Sequence, residues 1–322
     1  MKQDEPAKRV AVPPESAGRR LDQVLAELFP EYSRSRLQQW VKEGRVRVDG
    51  KSMRPKDKLQ GIEEIELEPV VEAEQRWEAE AIPLDIRYED KDLIVINKPA
   101  GLVVHPAAGN HAGTLLNALL HYAPELAGVP RAGIVHRLDK ETSGLLVVAR
   151  TLQAQTALVA QLQARSMTRE YRAVVTGVMT GGGTVEAPIG RHSIDRKRMA
   201  VLPNGKPAVT HYRVVERFRG HTDIKVRLET GRTHQIRVHM AHIRYPLVGD
   251  PVYGGRLKLP KGCSDELRQM LRGFRRQALH AGRLGLEHPN SGLPMEWEAE
   301  LPEDMSRLLV ALRRDAEQER GL

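Results

Sequence analysis

The sequence predicts an α+β protein: a mixed, mostly antiparallel sheet domain with inserted helices, preceded by a small α/β module. Three observations predict it. From Ile82 onward, short apolar runs are punctuated by turn-forming residues, a strand pattern with only occasional helical spacing. The charge reverses sign between residues 34–58 and 62–80, which marks a boundary. At 322 residues the chain can bury a sizeable core, and its length favours about two domains.

Residues 1–16 read as a flexible, polar, proline-containing N-terminus. Leu21, Val24, Leu25 and Leu28 then recur at helical spacing until Pro30 stops them. Ser33 or Ser35 caps a second helix bearing Leu37, Trp40 and Val41, with Gly44 as its stop. Val46 and Val48 alternate with Arg45 and Arg47, and Asp49-Gly50 supplies a hairpin turn. This module is expected over residues 17–75. Residues 62–80 are dominated by glutamate against Arg76 and read as its end and a linker.

The second domain is expected over residues 76–322. Leu93-Ile94-Val95-Ile96 predicts a buried strand, and Asn97-Lys98-Pro99-Ala100-Gly101 turns it. A helix is expected around Thr114 to His121, and Gln153 to Arg165 reads as a second. Tyr171 to Thr176, Thr210 to Glu216 and Ile224 to Glu229 read as strands, with a turn at Gly181-Gly182-Gly183. From Pro302, Met305, Leu308, Leu309 and Leu312 share one face of a docked helix.

Lys and Arg number 50 against 42 Asp and Glu, a net +8 that favours a polyanionic partner. The excess concentrates early: Arg34, Arg36, Lys42, Arg45, Arg47, Lys51, Arg54, Lys56 and Lys58 are opposed only by Glu43, Asp49 and Asp57. Cations on short helices and a hairpin gain affinity from phosphates without reading bases. Further basic stretches are Arg191-His192 with Arg196-Lys197-Arg198, and Arg256 to Arg276. Cys263 is the only cysteine, so an intrachain disulfide and a cysteine-rich zinc site are excluded. No run approaches the ~20 apolar residues of a membrane span.

Ile134 to Ala149 carries the chemistry: two apolar runs bound a polar loop, His136-Arg137-Leu138-Asp139, followed by Thr142-Ser143-Gly144. A single carboxylate in a loop can serve as nucleophile or base, although Asp, Thr, Ser and Gly also make plain turns. The pattern H-R-L-D-x-x-T-S-G resembles the signature of the RluA-type pseudouridine synthases, and the resemblance runs from about Arg20 to the C-terminal region. Ser33-Arg34-Ser35-x-Leu37, Trp40 and the stretch from Gly44 to Gly50 resemble an S4 RNA-binding domain.

The resemblance implies the pseudouridine synthase fold and an isomerase that detaches uracil from C1′ and rejoins it through C5, with no cofactor and no metal. It implies Asp139 as the catalytic carboxylate, Arg237 in Gly231-Arg232-Thr233-His234-Gln235-Ile236-Arg237 as its guanidinium partner in bidentate geometry, and Tyr171 stacked on the base. Arg137 would fill the gap left by the flipped nucleotide. His136 and Thr142 are carried as substrate-side residues, and Arg34, Arg36, Lys42, Arg45, Arg47, Lys51, Arg196, Lys197 and Arg198 as RNA-binding residues. The expected partner is 23S rRNA or a large-subunit precursor, the expected target the helix 69 stem-loop, and the expected state a monomer in the bacterial cytoplasm.

Three rivals remain at this level. A sister branch of the family would act on other 23S rRNA uridines, and a non-catalytic assembly factor would share the basic first domain. A metal hydrolase would use His234, His239 and His242 with Asp250, but H-E-x-x-H is missing.

Overall fold

The computed structural model describes residues 3–4, 7–30, 32, 34–71, 77–106 and 109–320. The chain divides into two compact units, Met1–Arg76 and Trp77–Leu322.

The first unit contains β1 (Gln3–Asp4), β2 (Lys8–Ala11), α1 (Leu21–Leu28), α2 (Arg34–Lys42), β3 (Val46–Val48), β4 (Glu64–Leu67) and β5 (Val70–Val71). Strands β2, β4 and β3 form an antiparallel sheet in that order. Its apolar face meets the apolar faces of both helices in one core, including Leu21, Leu25, Leu37, Trp40, Ile65 and Leu67. Asp22, fully buried, joins the helices by accepting from Arg34 Nη2 at 2.7 Å, Gln38 Nε2 at 2.6 Å and Arg20 Nε at 3.0 Å. Burial pushes the Asp22 carboxyl up, but these bonds outweigh it and hold the group below the usual carboxylate range.

Two expectations need correction here. Lys8–Ala11, placed by the sequence in a flexible N-terminus, is a sheet strand, because Val10 opposite Ile65 supplies the missing apolar partner. Within the acidic stretch read as a domain end and linker, Glu64–Leu67 is the central strand. Ile65 and Leu67 point inward, while Glu66 turns outward to Arg9 at 2.7 Å. Ser33, one candidate cap of α2, lies outside the described residues.

The second unit contains β6 (Ile86–Glu89), β7 (Leu93–Lys98), α3 (Leu115–Tyr122), β8 (Ser143–Ala149), α4 (Leu152–Ala164), β9 (Thr168–Thr176), β10 (Gly183–Glu186), β11 (Ile189–Arg191), β12 (Met199–Val201), β13 (Val209–Arg217), β14 (His221–Leu228), α5 (Gln235–His242), α6 (Asp265–Gly273), β15 (Leu279–Glu287), β16 (Pro294–Glu298) and α7 (Glu303–Arg320). Nine strands make one sheet in the order β10-β13-β14-β9-β15-β8-β7-β6, with β16 paired to β15. Every pairing in it is antiparallel except β15 with β8. The α+β, mostly antiparallel expectation therefore holds.

The apolar runs of β7 and β8 are continuous because both sheet faces are covered. Ile94, Ile96, Leu146 and Val148 enter one cluster with α3, while Leu93, Val95, Leu145 and Val147 enter another with Ala154 and Leu158 of α4. Thr114 caps α3 in a reciprocal capping box with Asn117. Met305, Leu308, Leu309 and Leu312 of α7 pack with Leu267 and Leu271 of α6, as the helical spacing implies.

Candidate active site

Asp139 sits on the loop that delivers the chain from Ile134 into β8. Thr142 N donates to Asp139 O at 3.0 Å and closes the turn. Gly144 follows with φ +116, and a Cβ there would lie 2.3 Å from Ala281 O. Glycine thus lets β8 run directly against β15, where Gly144 pairs with Ala281. Lys98, fully buried, donates to Pro99 O (2.7 Å), Leu102 O (2.9 Å) and Lys140 O (3.0 Å), tying the turn after β7 to the residue beside Asp139. Burial pushes its ammonium pKa down to about 7, against the pull of Glu141 and Asp139.

Arg237 projects from α5 and holds two carboxylates. Its Nη1 donates to Asp139 Oδ2 at 3.0 Å, while Nε and Nη2 donate to Asp250 at 2.7 and 2.9 Å. The expected bidentate pairing with Asp139 is therefore corrected: the two-point grip falls on Asp250, and Asp139 receives a single bond. Asp250 also accepts from Val252 N and Tyr253 N at 2.9 and 3.0 Å. Burial raises the Asp250 carboxyl, but Arg237 and these amides bring it below its usual range. Burial lowers Arg237, yet Asp250 and then Asp139 raise it well above the ordinary arginine value. Gly249 permits the turn, since at φ +72 a Cβ would lie 2.2 Å from Arg276 O.

Tyr171 lies on β9, buried, with its phenol pushed up by desolvation. It shares a pocket of about 620 Å³ with Asp139, Arg237, Arg137, Arg169 and His234. Arg137 is exposed at the same pocket. His136 also lines this pocket, and its Nε2 accepts from Val147 N at 3.2 Å and pins the loop to β8. Desolvation, with Arg169 second, pushes its pKa down to about 3, so the ring is neutral. Thr142 lines the pocket too, is buried, and its hydroxyl accepts from Gln277 Nε2 at 3.1 Å.

Sequence reasoning missed Asp250 as the anchor of Arg237, weighing it only as a metal ligand. It weighed His234 likewise only as a metal ligand, and it missed Tyr253. His234 starts α5 in the left-handed conformation (φ 57) and shares a 2.8 Å hydrogen bond with the Tyr253 hydroxyl, and its Nε2 lies 3.9 Å from Asp139 Oδ1. The Tyr253 ring lies under the Arg237 guanidinium, 5.0 Å from its centroid. The turn Gly249-Asp250-Pro251 was the one available signal. The metal reading loses His239, buried with both nitrogens engaged by Thr210 and Ala187 O, and Asp250, which Arg237 holds. Among the described residues, Asp90, Asp92 and His288 are the group with ligand spacing. There His288 Nδ1 accepts from Ser291 N at 3.1 Å, leaving the proton on Nε2 for Asp90.

The basic residues divide. Lys42, Arg47 and Lys51 are exposed, whereas Arg34 is held by Asp22 and Arg45 lies 3.6 Å from Glu43. Arg36 lies over Trp40, 5.9 Å from the ring centroid. Arg196 and Lys197 stand exposed on the β11–β12 hairpin. Arg198 instead folds back over Tyr253, 5.5 Å from its centroid.

A basic helical module followed by a sheet domain with a carboxylate–arginine pocket is the build of an RNA-acting enzyme. Residues 92–242 match the RNA pseudouridylate synthase family and residues 19–65 match the S4 domain. The chain is 61% identical over 306 residues to ribosomal large subunit pseudouridine synthase D of Pseudomonas aeruginosa, covering 95% of this chain and 96% of that protein. It is likewise 61% identical to the Escherichia coli K12 protein of that name, over 94% of this chain and 93% of the other. Human RNA pseudouridylate synthase domain containing 4 is similar in structure, with TM-score 0.56 and 28% identity over 71% of this chain and 92% of that one. The chain belongs to the RNA pseudouridylate synthase family and carries an S4 domain.

Proposed function

We propose that this enzyme converts uridines of 23S rRNA, in the helix 69 stem-loop, to pseudouridine with Asp139 as its catalytic carboxylate. The observation that carries the site is the chain of contacts Asp139–Arg237–Asp250, whose first two members line a pocket with Tyr171. A carboxylate with one oxygen held by a buried guanidinium keeps its other oxygen for the sugar or base. Tyr171 supplies a ring face for the uracil, and exposed Arg137 suits occupation of the vacancy left by base flipping. The names of the bacterial relatives support the large subunit as source of the RNA.

The test is release of tritium to water from 23S rRNA labelled at uracil C5, followed by mapping of the modified positions. Wild type should release label and Asp139→Ala should bind RNA yet release none. Modification outside helix 69 would move the target to that of the sister branch. Retained activity in Asp139→Ala would remove the aspartate from the chemistry.

A further inference from the structure

We propose that Arg169 contacts the substrate base, donating to a carbonyl oxygen of the flipped uracil and stabilising the negative charge the base acquires as it leaves C1′. This rests on the reading of the pocket as the isomerase site.

Arg169 is 7% exposed and yet has no carboxylate partner among the described residues. Its neighbours in burial show what a structural arginine looks like in this fold. Arg237 is gripped by Asp250, and Arg276 is bonded to Asp304 and to backbone carbonyls. Arg169 has one contact at the limit of hydrogen bonding, Nη2 to Glu229 O at 3.5 Å, and its buried Nε has none. A buried guanidinium left in this state is costly, so it is retained for a partner that arrives later.

The position identifies that partner. Arg169 and Tyr171 are two residues apart on β9, so they face the same side, roughly 7 Å apart along the strand. Both line the pocket with Asp139. Gly231 leaves room for the guanidinium, since a Cβ there would lie 2.9 Å from Nη1. A phosphate stays with the strand at the mouth, near exposed Arg137, whereas a flipped base is the part of a nucleotide that reaches a buried floor. His136 beside it is neutral and does not compete for an anion.

The chemistry needs such a donor. When the C1′–N1 bond breaks, its electron pair leaves with the base, and the charge spreads over N1, O2 and O4. After rotation a C1′–C5 bond forms, the C5 proton is lost and N1 gains one. A preorganised N–H aimed at O2 or O4 is stronger in the transition state than in the neutral ground state.

Arg169→Met and Arg169→Lys in the full chain test this by single-turnover tritium release at saturating rRNA, RNA affinity and thermal midpoint, with Asp139→Asn alongside. Arg169→Met should keep or raise the thermal midpoint and keep RNA affinity, while the single-turnover rate falls ~100-fold, the scale of losing one preorganised oxyanion donor. Arg169→Lys should recover part of the rate. In rRNA carrying 2-thiouridine or 4-thiouridine at the target, sulfur at the contacted position should shrink the penalty of Arg169→Met. A lowered midpoint with an unchanged rate would make Arg169 a strut and overturn the proposal. So would weakened RNA affinity with the saturated rate intact, the result expected of a phosphate contact. Full activity in Asp139→Asn would instead overturn the reading of the site itself.

Discussion

At the residue scale, the site turns on the geometry of one guanidinium. Arg237 presents one edge of its planar fork, Nε–H and Nη2–H, to Asp250 and its Nη1–H to Asp139, which a lysine ammonium cannot reproduce with that spacing. Arg237→Lys should retain RNA binding and lose ~100-fold or more in tritium release, because a mispositioned catalytic group costs that much. Asp250→Ala leaves the buried guanidinium with half its partners and should destabilise the fold by ~3–5 kcal/mol in urea unfolding, as broken buried ion pairs do. A midpoint equal to wild type would show that Asp250 is not the anchor. That Asp139, Tyr171 and Arg237 share one pocket was legible from the resembled motifs, since local signatures carry them. Asp250 and Tyr253 were not, because their partners sit across a turn whose direction depends on Gly249 meeting Arg276 O.

At the element scale, the loop before β8 is held by a neutral histidine. The unfolded ring takes a proton near its ordinary 6.5, while the folded ring resists until about 3. The unfolded state therefore binds more protons between those values, so this stabilisation is complete above about 6.5 and is lost as pH falls toward 3. His136→Leu should cost ~1–3 kcal/mol at pH 7.5 by stranding Val147 N–H. It should also flatten the decline between pH 7.5 and pH 4.5 relative to wild type, read as urea midpoints. Parallel declines in the two proteins would remove His136 from the acid response. Strand β9 illustrates why boundaries were harder to read than elements. The sequence suggested Tyr171–Thr176, but pairing begins at Thr168. Arg169 faces the pocket, and so breaks the apolar alternation that marks a core strand. Strand β15 passed unread for a related reason: Gly282 and Gly285 interrupt it, and its parallel partner β8 lies far away in sequence.

At the scale of the whole molecule, the S4 match and most of the basic excess fall in one unit and the pseudouridylate synthase match in the other, and charge counting reads the basic surface only coarsely. The nine cations between Arg34 and Lys58 suggested one basic face. The fold ties Arg34, although exposed, to the buried Asp22 and puts Arg45 within 3.6 Å of Glu43, while Lys42, Arg47 and Lys51 are exposed without such a tie among the described residues. Counterion release depends on cations that reach phosphates, with each contact adding about −0.7 to −0.9 to the slope of log affinity against log salt. Replacing Lys42, Arg47 and Lys51 together by glutamine should therefore make rRNA binding less salt-dependent, by up to roughly 2–3 in that slope if all three touch phosphate. Replacing Arg34 should act mainly on stability, because Asp22 loses a partner while buried. Single-turnover tritium release at saturating RNA should be unchanged in the triple variant, since none of the three lies in the pocket. A salt slope identical to wild type would exclude these side chains from the RNA interface, and a lower saturated rate would mean that the S4 domain also sets how the target base enters the pocket.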